Sequence, residues 1–206
     1  MPGVQRIGGR AVAVDRANID TDQIIPASWL KRVERTGFEA GLFGAWRDDP
    51  AFPLNRPGAA GAKILVAGDN FGCGSSREHA VWALQDFGFA AVISPGFADI
   101  FRGNAVSSGL VPAKAPAEAV AQIFAALADD PDAEVVVDVA ERTVAVPSAG
   151  ITAPFELADF ARWRLLEGLD DVALTLRHAD AITTFEAGRP AWLPAQQAPA
   201  GAPAGG

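Results

Sequence analysis

The chain has 206 residues, half of them apolar, a formal charge of −8 and a mean hydropathy of +0.16. At about 150 residues per domain this suits one domain with appendages and a sizeable core. The acidity argues against nonspecific nucleic-acid binding, which needs clustered Lys and Arg, and the single cysteine, Cys73, rules out an internal disulfide or a self-contained four-cysteine metal site.

The start, MPGVQRIGGRAVAV, lacks the basic region and long apolar stretch of a signal peptide. No uninterrupted apolar run reaches membrane length, so a soluble cytoplasmic protein without membrane contact is expected. Residues 10–14 (RAVAV) read as a short strand. NIDTDQIIPA, from Asn18 to Ala27, turns from polar to apolar before Pro26 stops it, as a loop feeding a buried edge. SWLKRVERTGF brings Lys31, Arg32 and Arg35 close together. The segment 28–61 is expected to be partly irregular, with Trp46 and Phe52 inside a Gly- and Pro-rich stretch.

KILVA (63–67) has strand length and composition. Beyond it, Ala80, Ala83, Leu84 and Phe87 recur at helical spacing until Gly88, and AAVIS (90–94) is the next strand. This β-α-β unit predicts two parallel strands. Helices are expected over FADIFRGNAVSSG, ending at Gly109, and over PAEAVAQIFAALADD from Pro116. EVVVD and TVAV flank Glu141-Arg142 as an antiparallel hairpin. A last helical region runs from about Leu174 to Glu186. The end, PAQQAPAGAPAGG, has the composition of a disordered tail. Mixed hairpins and β-α-β units argue for α/β layers.

The chemistry concentrates in GDNFGCGSSREHA, Gly68 to Ala80. Gly72-Cys73-Gly74 supplies G-x-G, but Arg77 stands where the dinucleotide fingerprint needs its third glycine. No lysine is present for a phosphate P-loop. The nucleophile elbow fails because Glu78 follows Ser76 two residues on, where a glycine is required. Ser75 and His79 are four apart and resemble a serine–histidine pair, yet a serine at a helix start points away from a histidine one turn in. Ser75-Ser76-Arg77-Glu78 fits a capping box, with Ser75 at N-cap and Glu78 at N3. A cap alone explains neither the second serine nor an arginine in a first turn, where the helix dipole disfavours cations. Three glycines before it are also surplus. Backbone N–H groups, hydroxyls and an arginine at one helix start make an anion site, for a carboxylate or a phosphate.

GDNFGCGSSREHA also resembles the signature of the small swivelling domain of the aconitase superfamily, and NIDTDQIIPA resembles its N-terminal companion. With SPGFADIFRGNAVSSGL and GLDDVALTLRHADAITTFEAGRPAWLP, the resemblance is closest to the small subunits of 3-isopropylmalate dehydratases and covers nearly the whole chain. It implies an α/β fold of three layers, β/β/α, with mixed parallel and antiparallel sheets, as one domain over 1–193 followed by a tail over 194–206. It implies a hydro-lyase that isomerises 2-isopropylmalate and 3-isopropylmalate in leucine biosynthesis by dehydration and rehydration. The implied partner is a large subunit with a [4Fe–4S] cluster on three cysteines; this chain holds no cofactor or metal. The substrate is a small dicarboxylate.

By the same resemblance Ser75 is the catalytic base and Arg77 clamps a substrate carboxylate. Ser76 donates a further hydrogen bond. Asp22 enters the active site to orient the serine or Arg77, although Asp20-Thr21-Asp22 also reads as an Asx-type turn. The segment from Ser28 to Arg35 matches the loop that sets substrate choice. Trp29 and Leu30 offer an isopropyl group apolar surface, and Lys31 remains a candidate for a carboxylate; the plainer reading is a solvated helix face with Trp29 in the core. His79 and Cys73 are expected to pack, and His178 receives no chemistry. The rivals are the same chemistry on homoaconitate, citraconate or a methylmalate, and a stand-alone anion-binding module.

Overall fold

The computed structural model describes residues 1–32 and 36–190. Arg35, together with the tail expected over 194–206 and the end of the family-like segment, lies outside them. The chain divides into two compact units, the first spanning Met1–Asp170 and the second beginning at Asp171, where one domain over 1–193 was expected.

In the first unit, seven strands form one sheet in the order β4-β3-β2-β1-β5-β6-β7. These are β1 (Arg6–Val14), β2 (Ile64–Ala67), β3 (Ala91–Ser94), β4 (Val111–Lys114), β5 (Glu134–Asp138), β6 (Thr143–Val146) and β7 (Ile151–Pro154). The strands β1 to β4 run parallel, and the ribbon β5-β6-β7 is antiparallel. Both halves meet in β1. Its first five residues, Arg6–Arg10, pair with β5, and its last four, Ala11–Val14, pair with β2. The mixed α/β architecture is as expected, with the parallel and antiparallel halves of the sheet joined through this one strand.

The alternation within strands decides the layers. Ala11, Ile64, Val66, Ala91 and Ile93 face one core, which they share with Val135 and Val137 of the antiparallel half and with helix α4 (Ala117–Asp129). Val12, Val14, Leu65, Ala67 and Val92 face the opposite core under helices α2 (Glu78–Phe87) and α3 (Asp99–Ser108). The parallel strands are thus buried on both faces, which is why KILVA and AAVIS read as unbroken apolar runs. Both edge strands carry a proline, Pro112 in β4 and Pro154 in β7, a placement that tolerates the missing N–H.

Gly88 and Gly109 end α2 and α3 in the left-handed conformation, as their positions predicted. The irregular segment contributes core rather than regular structure. Phe38, Leu42, Phe43, Phe52 and Leu54 are buried in it, and Trp46 stacks on Phe43 at 5.4 Å under the guanidinium of Arg16. The short helix α1 (Thr21–Ile24) and the helix α5 (Asp159–Glu167) complete the first unit. In the second unit, the expected C-terminal helix is two helices, α6 (Asp171–Leu176) and α7 (Ala179–Ala187), broken at Arg177-His178.

Candidate active site

In an open parallel sheet the loops that leave the carboxyl ends of neighbouring strands share one rim, where ligands bind. Here β1, β2 and β3 deliver three loops there, and backbone hydrogen bonds interlock them. Asn18 donates to the carbonyl of Asp69 at 2.8 Å, Gly72 to Ile19 at 2.8 Å and Thr21 to Cys73 at 2.9 Å. The loop after β3 joins through Phe71 N–H to Gly96 O at 2.9 Å and Ala98 N–H to Phe71 O at 3.0 Å. The buried hydroxyl of Ser94 lies 2.8 Å from the carbonyl of Gly68 and 2.7 Å from that of Gly96, tying β2 to β3 below the rim.

This stitching explains the glycines. Gly72 has φ +75°, and a Cβ there would fall 2.3 Å from Cγ of Phe101. Gly74 has φ +88° and turns the chain beside Asp20 and Thr21. Both positions lie in the region that L side chains rarely enter.

The capping box expected at Ser75 and Glu78 does not form. The N-cap of α2 is Arg77, in an extended conformation with no side-chain cap, so Ser75 lies two residues upstream. The carbonyl of Ser75 instead accepts a hydrogen bond from Thr21 Oγ1 at 2.9 Å, which with the turn at Gly74 carries the serine past the cap position. A capping box does form in the companion motif. Asp20 Oδ1 accepts from Gln23 N–H at 2.8 Å, and Gln23 Oε1 accepts from Asp20 N–H at 3.0 Å, opening α1. The hydroxyls of Ser75 and Ser76 are exposed and hydrogen-bond to nothing among the described residues. The competition between capping and catalysis at Ser75 therefore disappears.

Arg77 is held low in the site, its side chain 15% exposed, with Nη1 donating to Asp22 Oδ1. The two residues are 55 apart in sequence and meet because β1 and β2 are parallel neighbours. Of the two roles open to Asp22, this geometry favours orienting Arg77. Arg77, Ser76, Glu78, His79, Leu30 and Asn104 line one cleft of about 430 Å³. An arginine and a free hydroxyl beside the start of a ten-residue helix suit a carboxylate. Leu30 gives the same cleft an apolar wall.

Trp29 and Lys31 do not line it. Trp29 turns inward beside Phe38, ring centres 6.3 Å apart, and over Gly41, where a Cβ would lie 2.5 Å from the indole. Trp29 is thus partly buried against the core rather than on the wall of this cleft. Lys31 is exposed. His79 packs against Phe38 at 5.5 Å and Trp82 at 4.7 Å, the role expected of it. Cys73 is a free thiol whose carbonyl serves the loop pairing. Among the described residues no three His, Cys, Asp or Glu side chains group as metal ligands.

Asn104 was missed in the sequence. It sits on α3 between the buried Phe101 and Ala105, and a polar side chain beside that apolar pair was the available signal.

Residues 1–118 match the model of the aconitase C-terminal domain, and residues 171–198 match that of the C-terminal domain of the 3-isopropylmalate dehydratase small subunit. The chain is 64% identical over 186 residues to the 3-isopropylmalate dehydratase small subunit of Frankia alni, covering 90% of this chain and 94% of the relative. It is 59% identical over 190 residues to that of Acidothermus cellulolyticus, covering 92% and 95%. A crystal structure described as 3-isopropylmalate dehydratase from Methanocaldococcus jannaschii superposes with a TM-score of 0.66 at 28% identity, covering 88% of this chain and 99% of the other. With the mixed sheet and the interlocked loops, these matches show that the chain belongs to the family of 3-isopropylmalate dehydratase small subunits.

Proposed function

We propose that this chain is the subunit that completes, but does not carry, the metal centre of a hydro-lyase interconverting 2-isopropylmalate and 3-isopropylmalate in the cytoplasm. The [4Fe–4S] cluster belongs to the large subunit and supplies the Lewis acid for the leaving hydroxyl. The observation that carries this reading is the convergence of Asp22, Ser76, Arg77 and Leu30 at one rim, next to the exposed Ser75. An open half-site of this kind suits a second subunit that closes over it.

Dehydration removes a proton from a carbon next to a carboxylate, and negative charge develops on that carboxylate. Arg77 binds it through the donors that Asp22 leaves free, and Ser76 adds a hydroxyl donor. Ser75, as its alkoxide, takes the proton and on rehydration delivers it to the carbon that lost the hydroxyl, while the hydroxyl adds to the carbon that lost the proton. Serine is a weak base unaided. The dipole of α2 contributes at most about 2 kcal/mol, or about 1.5 pKa units. The guanidinium of Arg77 and the loss of water on closure must supply the remainder. Leu30 meets the isopropyl group.

The test is anaerobic turnover of 2-isopropylmalate by this chain mixed with the cluster-bearing large subunit. Turnover requires both chains, and Ser75→Ala abolishes it without loss of assembly. If no cysteine-rich partner copurifies and no turnover is seen, the chain is a stand-alone anion-binding module. Near-normal turnover by a folded Ser75→Ala complex removes Ser75 from the chemistry.

A further inference from the structure

We infer that Asn104 is a substrate-binding residue, whose neutral amide donates to the carboxylate oxygen that Arg77 leaves unpaired. The inference rests on reading the Leu30–Arg77 cleft as the substrate site.

Three observations carry it. Asn104 lines that cleft with Ser76 and Arg77. It is half-buried, and its side-chain amide makes no hydrogen bond among the described residues. The amide is therefore uncommitted and open to whatever occupies the cleft beside Arg77. Its placement is also fixed by the signature loop itself. Phe101, one turn earlier on α3, lies against Phe71 with ring centres 5.1 Å apart, and it fills the space that a side chain at Gly72 would take. The same contact that shapes the loop therefore sets the height of Asn104 above it.

The chemistry needs such a donor. A carboxylate has two oxygens and about four acceptor positions. Arg77 has already committed Nη1 to Asp22. A second cation would demand a further anionic group on the substrate. An amide satisfies the second oxygen without that demand, and so suits a dicarboxylate better than a tricarboxylate.

The experiment measures KM and kcat for 2-isopropylmalate with the assembled two-chain enzyme carrying Asn104→Ala or Asn104→Asp, and Ser75→Ala as a control. Loss of a hydrogen bond to a charged acceptor predicts a rise in KM of roughly tenfold to a hundredfold for Asn104→Ala. Asn104→Asp keeps the shape of asparagine but loses the donor and adds a like charge, so its KM rises further. A purely structural role would reverse that order, because Asp replaces Asn with less change in volume than Ala. Unfolding midpoints of the three chains stay equal to the native one. The inference is overturned if Asn104→Asp keeps a native KM, or if Asn104→Ala is the worse of the two, while Ser75→Ala is inactive. If Ser75→Ala is fully active, the site reading fails first, and Asn104 with it.

Discussion

Replacing Gly72 with alanine tests whether the signature loop owes its shape to close packing against α3. The backbone at this position has φ +75°, which costs an L residue about 1–2 kcal/mol. The added Cβ would lie 2.3 Å from Cγ and 2.5 Å from Cβ of Phe101, a side chain only 2% exposed. Rotating the ring does not relieve the clash, because Cβ of Phe101 does not move with χ1. Either α3 or the loop has to shift, and overpacking of this kind costs about 1–3 kcal/mol. The two effects together predict about 2–5 kcal/mol of destabilisation, a large part of the roughly 5–15 kcal/mol typical of a folded domain. Urea unfolding followed by tryptophan fluorescence measures it. Phe101→Ala alone is expected to cost about 3–5 kcal/mol through the cavity it leaves. In the double variant the contacts with the ring are gone but the 2.5 Å approach to Cβ of residue 101 remains, so only part of the clash is relieved and the two costs fall short of additivity by about 0.5–1 kcal/mol. Strict additivity, or a Gly72→Ala chain within about 0.5 kcal/mol of native, refutes the packing account.

The cleft and the fold each allow a further check. Leu30→Arg sets a charge where the isopropyl group is expected, so kcat/KM for 2-isopropylmalate should fall roughly a hundredfold with stability unchanged; retained turnover would place the alkyl group elsewhere, and a gain on a tricarboxylate would favour a homoaconitate-type enzyme. At the start of α5, a hydrogen bond from Arg142 and its charge hold the Asp159 carboxyl below its ordinary value. A depressed folded value means the pair stabilises the fold above the usual carboxylate range and stops doing so as pH falls through the folded value. Asp159→Asn should therefore lower the urea midpoint at about pH 7 but not in strong acid, and an equal gap at both would contradict this.

What the sequence revealed depended on whether the cause was local. The strands at 63–67 and 90–94 and the helices ended by Gly88 and Gly109 follow from apolar runs and punctuating glycines a few residues apart. β4 and β7 escaped notice because each has four residues and contains a proline, which only an edge position excuses. α5 was hidden by inverted burial: its Phe160 is 60% exposed while Arg164 is buried and donates to the carbonyl of Leu169 at 3.2 Å. At the site, the motifs were visible but their geometry was not. S-x-x-E fits a capping box wherever it occurs, and nothing local shows that Thr21 will claim the carbonyl of Ser75. The Asp22–Arg77 pair needs the parallel pairing of β1 with β2, and Trp29 needs Gly41 beneath it before its inward turn makes sense.

β1 divides its hydrogen bonds between two ladders, and this constrains the order in which the chain can be finished. The parallel half, with the interlocked loops and the cleft, is complete in sequence by Lys114, whereas the partners of Arg6–Arg10 arrive only with Glu134–Asp138. On a ribosome the rim can therefore assemble first, but with the leading half of β1 still an open edge and the apolar face of Ile64, Val66, Ala91 and Ile93 without its antiparallel cover. An unpaired edge beside uncovered apolar surface is a template for another chain. A fragment ending near Ala117 should hold every residue of the cleft and yet be driven to self-association, so the last third of the first unit acts for the site as an internal chaperone.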